Sequence, residues 1–304
     1  MECLVLYSGE GCPNELKELL RLRGMGSPHF RSLAKIREFK ELFKLCGADM
    51  PVIISGSDSC INEFVNKTQG ISLQNPIYYF PCGRSQDFFH ELLMDSESPG
   101  VNPQCLKIDG LLKELPVVSI KGRDFRFING ISCGIDELCY SLMEKKSKQK
   151  GRRVGLNNPA LKKAVFDFEP CNICLNADGV NLSFKNVRLA SCLRGCCLSN
   201  MELLPQGDAQ DGMLKLVLFH GCSRLKAAVL YKKLLKGQYK KLKNSVTIIK
   251  GHDISLHFDR KLELKMDGIR FKGADSYRVR SNKTVKQAMP AMCCIPESSA
   301  ESIC

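Results

Sequence analysis

Near residue 115 the hydrophobic period of the chain changes, and with it the kind of sheet that each part can build. Before that point, short apolar runs alternate with segments of helical spacing. Leu4 to Tyr7 is a strand-like run that ends in the turn Ser8-Gly9-Glu10-Gly11, and Pro13 to Arg23 follows with helical spacing. Leu33, Ile36, Phe39 and Phe43 fall on one face of an expected second helix. Val52-Ile53-Ile54 and Ile77 to Phe80 are further strands, each followed by a turn and a helix. Such alternation predicts a parallel sheet covered on both sides, because parallel strands need crossover connections. Ligands of such sheets bind beyond the carboxyl ends of the strands.

After residue 115 the pattern becomes short strands bounded by turn dipeptides. Leu115 to Ile120 and Phe125 to Ile131 form one expected antiparallel pair, and Asn172 to Asn176 with Val180 to Phe184 form another around Asp178-Gly179. Met213 to Phe219, Val246 to Ile249, Ile254 to Phe258 and Leu262 to Met266 continue the series, with a helix over Leu225 to Leu235. The fold class is therefore α/β: an N-terminal parallel-sheet domain over residues 1–114 and a C-terminal antiparallel β-sandwich domain over 115–280. Glu144 to Arg153 is a solvated basic connection, and residues 281–304 form a tail expected to be partly disordered.

Within the first domain the stretch VIISGSDSCINEFVN, Val52 to Asn66, hands a buried strand to a helix through small residues. A junction of this kind gathers unpaired backbone N–H groups at the positive end of a helix, which suits an anion. A plain tight turn would read the same way. The chain carries 45 Lys and Arg against 32 Asp and Glu, a net charge of +13, which favours anionic partners without choosing among them. No basic-aromatic strand motif and no tryptophan accompany that charge, so nucleic acid is not expected.

The N-terminus has no signal-peptide pattern and no run approaches the length of a membrane span, which predicts a cytoplasmic protein. Seventeen cysteines in a chain of this size are then expected to be reduced and mostly buried. Cys171, Cys174, Cys192 and Cys196 come near a zinc-ribbon spacing, but with cysteine this abundant no structural zinc is expected.

The stretch from Val52 resembles the nucleotide loop of the diacylglycerol kinase-like lipid kinases, the bacterial soluble type related to sphingosine kinases, whose motif is G-G-D-G-T-x-N-E-x-x-N. Gly56, Asp58, Asn62, Glu63 and Asn66 keep the pattern, while Ser57, Ser59 and Cys60 depart from it. FPCGRSQDFFHEL is similar to that family's second loop, retaining Pro81, Gly83, Asp87, Phe88 and Leu92, with Arg84 and Gln86 in place of Thr and Asn. Three further segments agree in order: Phe127 to Asp136, PQGDAQDG ending in Asp211-Gly212, and a terminal Asp267-Gly268 turn with Ile269 in place of the acid.

The resemblance implies a nucleotide-binding catalytic domain over residues 1–114 and an ATP- and Mg²⁺-dependent kinase that phosphorylates a lipid hydroxyl. It implies that Gly9, Gly56, Ser57, Asp58, Ser59, Glu63, Gly83, Arg84, Ser85 and Asp87 line the nucleotide site. Asp58 would also serve the metal, and Asp211 would be the general base. Both carboxylates would then act in a cleft between the domains. The substitutions in both loops leave a second reading open, a noncatalytic lipid or nucleotide binder. NAD kinase, with a similar loop and a β-rich second domain, is the nearest other enzyme. The expected partners are nucleotide and lipid at an anionic membrane surface, met peripherally from the cytoplasmic side, where Lys232, Lys233, Lys236, Lys240 and Lys241 would attract acidic headgroups.

Overall fold

The computed structural model describes residues 2–9, 12–83, 86–94, 105–146, 159–195, 197–198, 201–202, 212–234, 236 and 238–282. The chain divides into two units, with the boundary between Glu114 and Leu115.

In the first unit, β1 (Glu2–Tyr7) is followed by α1 (Asn14–Leu22), β2 (Ser27–Ser32), α2 (Phe39–Leu45), β3 (Val52–Gly56) and α3 (Asp58–Lys67). Then come β4 (Ile77–Pro81), α4 (Asp87–Met94), β5 (Leu106–Lys107) and α5 (Asp109–Lys113). The sheet order is β2-β1-β3-β4-β5, parallel except for the antiparallel edge strand β5. β1 therefore has β2 on one side and β3 on the other, and the winding reverses between β1 and β3. That reversal opens a crevice at the carboxyl ends of these two strands, where ligands of such sheets bind.

The single helix expected across Leu33 to Phe43 is two pieces. Leu33–Lys35 form one 3₁₀ turn, Ile36 is extended, Glu38 is non-helical, and α2 starts only at Phe39. Leu33 and Phe39 are both buried, so the apolar spacing is met by a kinked segment rather than by one helix face. Phe39 and Phe43 both pack edge-on against Phe64 of α3.

The second unit opens with β6 (Val117–Ile120), β7 (Arg123–Arg126), β8 (Gly130–Gly134), α6 (Ile135–Lys146) and α7 (Pro159–Asp167). It continues with β9 (Cys171–Ala177), β10 (Val180–Val187), β11 (Leu189–Leu193), β12 (Cys197–Leu198), β13 (Met201–Glu202) and β14 (Leu214–Phe219). α8 (Arg224–Leu234), β15 (Val246–Gly251), β16 (Asp253–Met266) and β17 (Ile269–Arg280) complete it. The main sheet runs β15-β14-β11-β8-β16-β17-β6-β7, with β9 and β10 branching from β16.

β16 causes the branch. Its first part, Ile254 to Phe258, pairs with β9, and its last part, Leu264 to Met266, pairs with β8. The pairing with β17 shifts register between His257 and Leu264, so one bulged strand serves two layers. The two strands expected at Ile254 to Phe258 and Leu262 to Met266 are these two parts of β16. Ile131, Cys133, Ile173, Leu175, Leu216, Leu256 and Leu264 fill the space between the layers.

β11 is buried on both faces. Ala190 and Cys192 join the inter-layer core, while Leu189 and Leu193 face a second core built with Ala164 of α7 and Ala227, Tyr231 and Leu234 of α8. The strand expected over Phe125 to Ile131 ends at Arg126. The backbone N–H groups of Ile128, Asn129 and Gly130 turn to the Asp267 carboxylate, and β8 begins at Gly130.

Candidate functional site

Three turns of the first unit converge at the carboxyl edge of its sheet. Residues 7 to 9 leave β1, Gly56-Ser57-Asp58 leave β3, and residues 81 to 83 leave β4. α3 and α4 both start at this edge, so the positive ends of two helix dipoles lie there. Asp58 and Asp87 are their first residues, which suits acids at helix N-termini.

Gly56 is required by crowding. A Cβ there would lie 2.6 Å from Cys60 Cβ, 2.8 Å from Cys60 Sγ and 2.8 Å from Ser8 Oγ. The Ser8 hydroxyl also bonds to the Cys60 thiol, and Cys60 Sγ reaches the Ser55 carbonyl at 3.5 Å. Burial dominates that thiol and pushes its pKa up to about 12, so Cys60 is a neutral packing group beside the turn.

Ser57 stands where the related motif has glycine, yet its φ of −84° and ψ of 176° are ordinary extended values. The serine therefore causes no backbone strain. Ser57 Oγ forms no cap bond to α3 and instead pairs with Ser59 Oγ at 2.8 Å. Gly83 is left-handed at φ +93°, and a Cβ on it would lie 3.6 Å from Ser57 Cβ, so the turns after β3 and β4 touch.

Asp58 fastens these turns together. Its carboxylate is 1% exposed and accepts the Phe88 N–H at 3.2 Å, in the first turn of α4. It also accepts the Tyr79 hydroxyl at 3.3 Å, which reaches the Gly56 carbonyl at 3.0 Å as well. Tyr79 is wholly buried in β4. Burial first, and the Asp58 charge next, hold its phenol far above the ordinary range and keep it a donor.

The structure thus brings together Gly56, Ser57, Asp58, Ser59, Gly83 and, through α4, the buried Asp87. Gly9 sits in the first turn at φ +86° with nothing within 4 Å of a built Cβ. Glu63 is directed elsewhere, to Lys67 one helical turn along at 2.6 Å. Asn62 and Asn66 of the motif bond to each other within α3. Arg84, Ser85 and Asp211 lie outside the described residues, as does the flank of Asp211 up to Gly212.

Tyr79, Ser8 and Cys60 are site residues that the motif reading did not assign to the joint. Tyr79 had a signal, since a phenol inside a buried strand needs a hydrogen-bond partner. Ser8 and Cys60 had none, because only the approach of β1 to β3 brings them together.

Elsewhere, Cys171 and Cys192 are buried in the inter-layer core while Cys174 faces outward from β9, and Cys196 is outside the described residues. Among the described residues no group of three His, Cys, Asp or Glu could hold a metal ion, and no helix is long and apolar enough to cross a membrane. A groove of about 720 Å³ on the second unit is lined by Lys121, Asn176, Asp178, His257 and Arg278 among others. Its charges serve the fold: Asp178 accepts the N–H groups of His252 and Asp253, and Asp253 pairs with Arg278.

The family model described as the YegS C-terminal NAD kinase beta sandwich-like domain matches residues 130–281, half of the 304-residue chain. No curated protein matches the sequence. Among solved structures, a candidate diacylglycerol kinase from Bacillus anthracis str. Sterne superposes with a TM-score of 0.60 at 14% identity, covering 91% of each chain. A second candidate diacylglycerol kinase from that strain gives 0.59 at 16% identity, over 91% of this chain and 93% of that one. A structure described as a diacylglycerol kinase from the same strain gives 0.56 at 14%, over 92% and 94%. At these identities the likeness is one of fold.

Proposed function

Because the chain belongs to the YegS C-terminal NAD kinase beta sandwich-like domain family, we propose that it is an ATP-dependent kinase of the diacylglycerol type, transferring a phosphoryl group to a lipid hydroxyl. The observation that carries this reading is the joint made by Asp58. It ties the turn after β3 to the start of α4 through Phe88, and Gly83 closes against Ser57. Phosphoryl transfer depends mainly on positioning and charge stabilisation, and this joint holds two helix N-termini in one fixed arrangement. In this reading the backbone N–H groups of the turns and the Ser57 and Ser59 hydroxyls orient the nucleotide phosphates.

In the kinase reading magnesium arrives on the nucleotide rather than in a resident site. Mg²⁺ typically takes one or two protein carboxylates beside phosphate oxygens and water, and no cage of three acidic, histidine or cysteine ligands stands among the described residues. Asp58 and Asp87 are the carboxylates at this edge that would hold it, and when bound it neutralises charge on the transferring phosphoryl group. Asp211 would take the proton of the lipid hydroxyl. The work would be done in the cytoplasm, at the inner membrane face.

A second reading, a noncatalytic binder, is favoured by one observation. The Cys60 thiol and Ser8 hydroxyl fill the space against Gly56, and the Asp58 carboxylate already serves the fold on both oxygens. Calorimetry with Mg·ATP, followed by turnover on detergent-dispersed diacylglycerol, separates the two. The kinase reading expects heat and product, with Asp211→Asn abolishing product while leaving nucleotide affinity within about twofold, since the general base acts on the acceptor. Nucleotide or lipid binding without transfer supports the noncatalytic reading, and no binding at millimolar nucleotide removes the kinase.

A further inference from the structure

α8 has two faces of opposite fate. Ala227, Tyr231 and Leu234 turn inward, with Tyr231 stacked on Phe219 of β14 at 5.9 Å. On the outward side Leu225 is 75% exposed and Val229 is 57% exposed. Four residues apart, they stand one above the other on the helix surface. Exposed Lys226 and Lys233 flank them, Arg224 precedes them, and Lys236 and Lys241 follow at the helix exit, also exposed. No Asp or Glu occurs in the sequence between Asp211 and Asp253, so no acid of this segment offsets that charge.

Two aliphatic side chains ringed by cations constrain what can cover them. A second copy of the same face would bring lysine against lysine across a twofold contact. An anionic lipid surface satisfies both components at once: the aliphatic groups enter the boundary between headgroups and acyl chains, and the lysines stay at headgroup level on flexible stems. We propose that α8 docks the second unit on an anionic lipid surface, with Leu225 and Val229 as the inserting groups and Lys226, Lys233 and Lys236 on the headgroup phosphates. This extends the lipid reading to a surface separate from the turns of the first unit, and its test contains neither nucleotide nor diacylglycerol.

The full chain lacks tryptophan, so Val229→Trp installs one reporter at the face. Phosphatidylcholine vesicles with and without phosphatidylglycerol are the probe. The expected result is co-sedimentation and a blue-shifted tryptophan emission with the anionic vesicles only. The double variant Leu225→Ser, Val229→Ser should lower partitioning about tenfold, from the apolar area no longer buried. Lys226→Gln with Lys233→Gln should lower it about thirtyfold at low salt, two headgroup charges being lost. Unchanged thermal midpoints show that these exposed changes leave the fold intact. Equal binding to neutral vesicles, sedimentation with unshifted emission, or no binding overturns the proposal. A dimer that Leu225→Ser, Val229→Ser converts to monomer assigns the face to a second copy instead. Vesicle binding without phosphorylation would remove the kinase reading alone, and phosphorylation of dispersed lipid without vesicle binding would remove the docking alone.

Discussion

Asp58 in the first unit and Asp267 in the second lie in motif-like turns after a strand, and both are used as fasteners between distant segments. Asp267 occupies a two-residue hairpin between β16 and β17, left-handed at φ 44° with Gly268 at φ 92°. Its carboxylate accepts the backbone N–H groups of Ile128 at 2.6 Å, Asn129 at 3.0 Å and Gly130 at 3.2 Å. Asp178 repeats the device in the β9–β10 hairpin, with His252 and Asp253 as donors. Asp58 differs in its surroundings. Its partners include the Phe88 N–H and the Tyr79 phenol, at an edge where two helices begin. An aspartate in a motif thus has a structural duty first, and its chemistry is decided by what else converges on it.

The sharpest division between the two is in stability. Asp267→Ala leaves three N–H groups without their charged acceptor and should cost about 3 kcal/mol or more, read as a lower urea midpoint at constant slope. Asp58→Asn keeps the shape and one acceptor oxygen but sets an NH₂ group against either the Phe88 N–H or the Tyr79 O–H, and should cost about 1–2 kcal/mol. Under the proposed function it also weakens Mg·ATP binding, whereas Asp267→Asn should leave calorimetric affinity unchanged. Equal effects of the two asparagine variants on affinity would erase the distinction. Gly56→Ala forces a Cβ into Cys60 and Ser8 and should cost about 1–3 kcal/mol by overpacking. Ser57→Gly relieves no strain at φ −84° and should change stability by only a few tenths of a kcal/mol.

Asp136 is a third kind of aspartate and gives the gentlest test. It is buried beside Ser132, which donates to it at 3.2 Å, and burial raises its pKa above the ordinary 3.8 despite the nearby Lys265 charge. Between 3.8 and that raised value the folded chain holds a proton that the unfolded chain has already released. Stability should fall as pH rises from about 3.8 toward the raised value and then level off. In Asp136→Asn that slope should vanish from thermal melts taken across the same window, and its persistence would place the titration elsewhere.

The strands β1, β3 and β4 were legible because each is an apolar run ended by small or turn residues, and the Asp178-Gly179 hairpin because that dipeptide favours its turn. β2 was not, since SPHFRS is a half-exposed edge strand beginning with a proline dipeptide. β11 was missed because LASCL is short and buried on both faces, so it shows no alternation. β17 hides behind Gly273 and Asp275, which interrupt a strand held in place by β16. At the site, the residue types in the two loops were readable and the joint was not. Tyr79 and Phe88 stand 21 and 30 positions from Asp58, and nothing local in the sequence links them.

The place of β16 and β17 also sets an order of events during synthesis. The first unit closes its sheet from segments that emerge in sequence and end by Lys113, so it can fold while translation continues. The second unit begins with β6 and β7, yet in the main sheet these reach their neighbours only through β17, which ends at Arg280. β8 and β9 find one partner earlier, in β11 and β10, but the other edge of each waits for β16. Pairings of such long sequence separation fold slowly and leave strand edges exposed meanwhile. A nascent chain stalled before residue 253 should therefore carry a protease-resistant first unit attached to a protease-sensitive second one, with chaperone demand concentrated in that interval.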